Sequence, residues 1–125
     1  MRNSTRQHHS FALCPKDVEP TPINRRQAMR ELGSVVYAYR VELGVIKIGW
    51  TSDLSQRERS LKSANEGIAP TLLAFRPGTR ADEAAIHATL IEHRARDHEF
   101  YHATADVLAV VNQWREQLGM PELAA

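Results

Sequence analysis

Two runs rich in β-branched and aromatic residues, Ser34-Val-Val-Tyr-Ala-Tyr-Arg-Val41 and Val45-Ile-Lys-Ile-Gly49, are separated only by Glu42-Leu43-Gly44. Such side chains fit a pleated surface, and a short glycine-containing link turns the chain back on itself. The chain is thereby committed to a β-hairpin, and the remaining segments have to cover it. Asp53, with Gln56 three residues on, has the pattern of a helix N-cap and predicts a helix to about Ala64, broken by Gly67. Thr71 to Phe75 reads as a third short strand, stopped by Pro77-Gly78. Thr79 caps a further helix with Asp82 at its third position; it carries Ala84, Ala85, Ile86, Leu90 and Ile91 and ends near His93. Arg94 to His102 reads as a loop holding Phe100 and Tyr101, and a last amphipathic helix runs from about Ala105 to Leu118, ended by Gly119 and Pro121. Before the hairpin, Thr21-Pro22 resembles an N-cap and first turn, with a helix over Ile23 to Leu32 closed by Gly33.

The expected fold class is therefore α/β (α+β): a small three-stranded, mainly antiparallel sheet flanked by helices, in the order β-β-α-β-α-α after the leading helix 21–33. A chain of 125 residues suits one such domain plus a tail. Residues 1–20 are polar without an apolar period and read as that tail, disordered; its adjacent His8 and His9 are either solvated or weakly metal-binding.

The net charge is only +1, so contact with nucleic acid has to come from a local patch rather than a global field. Cys14 is the single cysteine, which excludes an internal disulfide and fits a reducing compartment. Neither a signal-peptide pattern nor the roughly 18 consecutive apolar residues of a membrane span is present, and we expect a soluble, cytoplasmic protein.

Several polar residues fall on or beside apolar faces. Successive helical residues advance by about 100°, which sets Arg57 beside the stripe of Leu54, Leu61 and Ala64. There it can snorkel to water, or hold a phosphate in its planar fork. Glu83 lies among the directions of Ile86, Leu90 and Ile91, with His87 one turn on. A carboxylate so placed requires a partner, either Arg57 or His87, or a metal ion such as magnesium. Tyr37 and Tyr39 share one side of the first strand with Val35 and Val41, where they can pack, or can offer a hydroxyl to a phosphate. Arg25, Arg26 and Arg30 point away from the apolar positions of the leading helix, as a solvated face or a phosphate-contacting arm. The histidines between His87 and His102 do not match a zinc spacing.

These residues, in this order, resemble the GIY-YIG nuclease superfamily, in its small phage and bacterial branch related to a meiotically up-regulated yeast protein. The likeness runs from Val35 to Trp114. It rests on Val35-Val36-Tyr37, Lys47-Ile48-Gly49, Trp50-Thr51-Ser52-Asp53-Leu54 with Arg57, Glu83-Ala-Ala-Ile86-His87 and His98-Glu99-Phe100-Tyr101. The resemblance implies a domain over 34–119 that is a DNA endonuclease hydrolysing phosphodiester bonds with Mg2+ or Mn2+. It implies Glu83 as the metal ligand, Arg57 on the scissile phosphate and Tyr37 activating water, supported by Lys47, Tyr39 and His87. Tyr37 has an ordinary pKa near 10, so acting as a base requires a cation beside it, for which Lys47 on the neighbouring strand is the candidate. Two departures stand out: Val35 replaces the first motif's Gly, and Lys47 the second motif's Tyr.

The expected partner is DNA. With little room for a specificity domain, targeting is expected to come from DNA structure or from a protein partner. The alternative is a non-catalytic DNA-binding module of the same fold. A third class is an adaptor using an exposed apolar stripe around Trp114.

Overall fold

The computed structural model describes residues 22–124. The expected tail with His8, His9 and Cys14, and the Thr21 cap, lie outside the described residues.

The hairpin forms as its composition dictates. Strands β1 (Val35–Glu42) and β2 (Val45–Thr51) pair antiparallel from Val35↔Thr51 to Glu42↔Val45, leaving Leu43-Gly44 as the turn. Gly44 takes a φ of 76° there, a conformation costly for a residue with a Cβ. Residues 35–39 and 45–49 are all buried, so these strands are covered on both faces. Strand β3 (Thr71–Pro77) pairs antiparallel with the other edge of β1.

The sheet is larger than the three strands expected. Arg94 to His102, expected as a loop, supplies two more: β4 (Arg94–Arg96) and β5 (Phe100–His102). The sheet has five strands in the order β3-β1-β2-β5-β4, every neighbouring pair antiparallel. Each of the two added strands has three residues, too few to show a period of two. Their pairing is decided by contact with β2, through Ile46↔Tyr101 and Lys47↔Phe100.

Four helices complete the order: α1 (Pro22–Leu32), α2 (Leu54–Ala64), α3 (Arg80–Thr89) and α4 (Ala105–Gln117). The Asp53 side chain accepts from Gln56 N, and Thr79 and Asp82 form a reciprocal capping box. α3 stops earlier than expected, and Ile91–His93 form a separate 3-10 turn. On α2, Leu54 is buried and Leu61 partly so, but Ala64 is exposed rather than part of the inner stripe.

α4 packs on β3 and buries Val107, Val111 and Trp114 in the core. With Trp114 inside, the apolar adaptor surface expected there does not exist. Arg115, 1% exposed, donates from Nε to the Pro121 carbonyl (2.7 Å) and from its guanidinium to the Leu73 carbonyl (2.7 Å), tying the segment after α4 to β3. No described helix is long and apolar enough to cross a membrane.

A second correction concerns α1. Arg26 and Arg30 are exposed as expected, but Arg25 is buried. Its Nε lies 2.9 Å from Glu58 Oε2, and that oxygen also accepts from the Tyr39 hydroxyl at 2.9 Å. One carboxylate on α2 thus joins α1 to β1. Burial, then the Glu58 charge and hydrogen bond, hold the Tyr39 hydroxyl well above its usual pKa of 10.0.

The unfolded chain therefore loses this proton first. The stabilisation is complete below pH 10 and is lost as pH rises beyond it. We expect the thermal midpoint to fall once pH exceeds about 10, and Tyr39→Phe to shallow that fall. An identical alkaline slope in the variant, followed by circular dichroism, would refute this role for Tyr39.

Candidate functional site

The site begins at a cross-strand pair in the hairpin. Tyr37 on β1 stands opposite Gly49 on β2. A Cβ at position 49 would come within 2.6 Å of Tyr37 Cζ, so the ring lies across the glycine in the space a side chain would fill. Tyr37 is 1% exposed and packs edge-on against Tyr39, with centroids 5.3 Å apart. Burial raises its hydroxyl pKa far above the usual range; the Arg57 guanidinium opposes this, and the Glu99 and Glu83 charges reinforce it. Tyr37 is thus a neutral hydroxyl with Arg57 from α2, Glu83 from α3 and Glu99 from the β4–β5 turn as its charged neighbours.

Lys47 does not serve as the cation expected to lower the Tyr37 pKa. Its ammonium pairs with the Glu99 carboxylate and lies 5.0 Å from the Phe100 ring centroid. This partner, with His87 and Arg57, holds the Glu99 carboxyl below its usual range against the opposing effect of burial. Tyr39 is also spent elsewhere, on Glu58. Of the residues expected to form the site, the structure brings together Tyr37, Lys47, Arg57, Glu83 and His87; the hydroxyl of Tyr39 faces the α1–α2 junction instead.

On α3, Glu83 and His87 are one turn apart, with Oε2 and Nε2 separated by 3.2 Å and each side chain 16% exposed. The other ring nitrogen of His87 is hydrogen-bonded to the Tyr101 hydroxyl, and the two rings stack at 5.6 Å with an interplanar angle of 16°. Glu83, His87 and Glu99 each offer one ligand atom, all within 4.8 Å of one another. Two carboxylates and an imidazole fit a divalent cation.

Three participants escaped the sequence reading. Glu99 and Tyr101 sit in a segment read as a loop, although their neighbourhood was singled out as a motif. Arg94 carried no signal at all; it becomes relevant because β4 pairs it with Tyr101, whose hydroxyl its guanidinium hydrogen-bonds. Among the described residues, the Nε atoms of Arg57 and Arg94 are buried without a hydrogen-bond partner. The remaining histidines build no metal cluster among the described residues: His93 contacts Thr104 and Asp106, while His98 and His102 are exposed.

The family model described as the T5orf172 domain matches residues 34–118, well over half of the chain. This corrects the resemblance to GIY-YIG nucleases, for the matched family is a distinct one. Several of the short motifs behind that resemblance occupy positions set by packing. A glycine under the Tyr37 ring and buried apolar residues around both are demands of a small covered sheet, and they do not separate one family from another. No curated protein and no solved structure matches the chain.

The Tyr37–Gly49 contact makes a quantitative expectation. Gly49→Ala overpacks the hairpin and should cost about 1–3 kcal/mol in urea unfolding. In a Tyr37→Ala background the same change should cost much less, because neighbours in contact are not additive. Equal costs in both backgrounds would show that the ring does not set the size of residue 49.

Proposed function

The chain belongs to the T5orf172 domain family, and from that premise we propose that it is a DNA-binding domain that takes a backbone phosphate between Arg57 and Arg94, beside the Tyr37 and Tyr101 hydroxyls. The family is one of nuclease-like, DNA-binding domains, which supports DNA as the partner. The observation that carries the reading is the pair of buried guanidinium Nε donors without acceptors. Leaving a charged donor buried and unpaired costs roughly 1–3 kcal/mol or more, so such groups gain strongly from an incoming acceptor. A phosphate supplies several acceptor oxygens and suits the guanidinium fork. Tyr37, kept neutral, acts as a hydrogen-bond donor to the same anion.

Specific observations favour a second activity at the same place. Glu83, His87 and Glu99 are grouped closely enough to hold Mg2+ or Mn2+. Bound there, such an ion supplies Lewis-acid polarisation of a phosphoryl oxygen. Arg57 then adds fixed positive charge toward the phosphate. The hydrolysis of phosphodiester bonds is the reaction this set serves.

With a net charge of +1 and few phosphate-facing cations, affinity should be modest and its dependence on salt shallow. We expect fluorescence anisotropy with duplex and branched DNA to give a log–log salt slope on the order of −2 to −3, and Arg57→Ala and Arg94→Ala each to shallow it by about 1 on every sequence. Binding indifferent to salt and to both substitutions would sink the phosphate reading.

For the second activity, supercoiled plasmid and branched DNA are incubated with Mg2+, Mn2+ or EDTA. Nicking that requires the ion and disappears in Glu83→Ala is the expected outcome. Binding without nicking under every condition would leave a non-catalytic DNA-binding domain.

A further inference from the structure

We propose that Glu83, His87 and Glu99 form a mixed nitrogen–oxygen centre that prefers a transition-type divalent ion such as Mn2+ to Mg2+, with Tyr101 as the positioning residue that presents His87 Nε2 to the ion. The inference rests on the metal reading of the same site and adds to it which ion is taken and why.

The argument is one of hydrogen-bond donors. The Tyr101 hydroxyl has a single hydrogen, and the His98 carbonyl oxygen, which can only accept, lies 3.4 Å from it. Arg94, which can only donate, also contacts the Tyr101 hydroxyl. We assign the hydroxyl hydrogen to the carbonyl, which leaves the hydroxyl oxygen as the acceptor in its hydrogen bond with His87 Nδ1. Nδ1 then carries the imidazole hydrogen, and in the neutral ring Nε2 keeps a lone pair. That lone pair faces Glu83 Oε2 at 3.2 Å, and a carboxylate oxygen is another acceptor. Two acceptors so close need a hydrogen or a cation between them, and a divalent ion fills that place. Glu99 lies within 4.8 Å of both and keeps a second carboxylate oxygen beyond the one bound by Lys47. A ligating histidine whose other nitrogen is fixed by a hydrogen bond is the usual arrangement in metal centres.

The same surroundings set the ion. Lys47, Arg57 and Arg94 give three positive charges against the two carboxylates. Those charges weaken any divalent ion alike, but Mg2+ in addition prefers oxygen ligands and parts with water reluctantly. An imidazole nitrogen adds a directional bond that favours the transition series over Mg2+.

The test titrates the full chain with Mn2+, following free ion by electron paramagnetic resonance, and repeats it with Mg2+ as competitor. DNA binding in EDTA is measured alongside, and folding of each variant is checked by circular dichroism. Mn2+ should bind at least about tenfold tighter than Mg2+, and His87→Gln should reduce that preference by most of its size. Tyr101→Phe, which keeps the ring, should weaken Mn2+ by about 10–100-fold while the fold survives. Equal affinity for the two ions, unchanged in His87→Gln, would overturn this inference and leave a carboxylate-only metal site. Absence of any bound ion, with DNA binding intact in EDTA, would overturn the metal reading with it and leave the phosphate site standing.

Discussion

The lateral fit of the Tyr37 ring over Gly49 is the contact on which the site depends. It fixes an aromatic hydroxyl in the middle of the sheet, edge-on against the neighbouring Tyr39 ring. A side chain at 49 would displace the ring whose hydroxyl has Arg57 and Glu83 among its charged neighbours. Burial there penalises the phenolate and keeps the hydroxyl protonated. The β1–β2 pair around it is buried on both faces and cannot rearrange cheaply.

Around this contact the charges are distributed so that each element contributes one partner to another. Lys47 of β2 binds Glu99 next to β5; His87 of α3, paired with Glu83, reaches Tyr101 of β5; Glu58 of α2 joins Tyr39 of β1 to Arg25 of α1. α3 itself has no fully buried residue, so it is held to the sheet by its half-buried Ile86 and by these polar links rather than by a deep apolar face. Its capping box fixes where the helix starts, and therefore where Glu83 and His87 stand in the first and last turns.

What the sequence discloses follows the same physics. The hairpin, β3 and the helix caps are local, written in β-branched runs, a turn glycine and Thr or Asp at the right offsets, and they could be placed without a structure. The polar residues that interrupt an apolar face, Arg57, Glu83 and His87, were visible as anomalies for the same reason. The β4–β5 pair was not, because three-residue strands have no period and owe their existence to β2. Glu99, Tyr101 and Arg94 went unassigned with them. Arg25 was misplaced because its burial depends on Glu58, far along the chain, which no helical wheel contains.

Family membership and site geometry answer different questions here. The T5orf172 match settles which family owns the sheet and helices, and it replaces a likeness carried by short fragments. It does not decide what Tyr37 does. With a hydroxyl held neutral by burial, and with Lys47 committed to Glu99, Tyr37 is not poised as a base, and its O–H stays available as a hydrogen-bond donor. Such a donor, with the Arg57 guanidinium as its charged neighbour and the Arg57 Nε lacking a hydrogen-bond partner, suits an incoming anion. On the proposed reading, phosphate binding is the more basic property of the site, and hydrolysis would be added to it by an ion held by Glu83, His87 and Glu99.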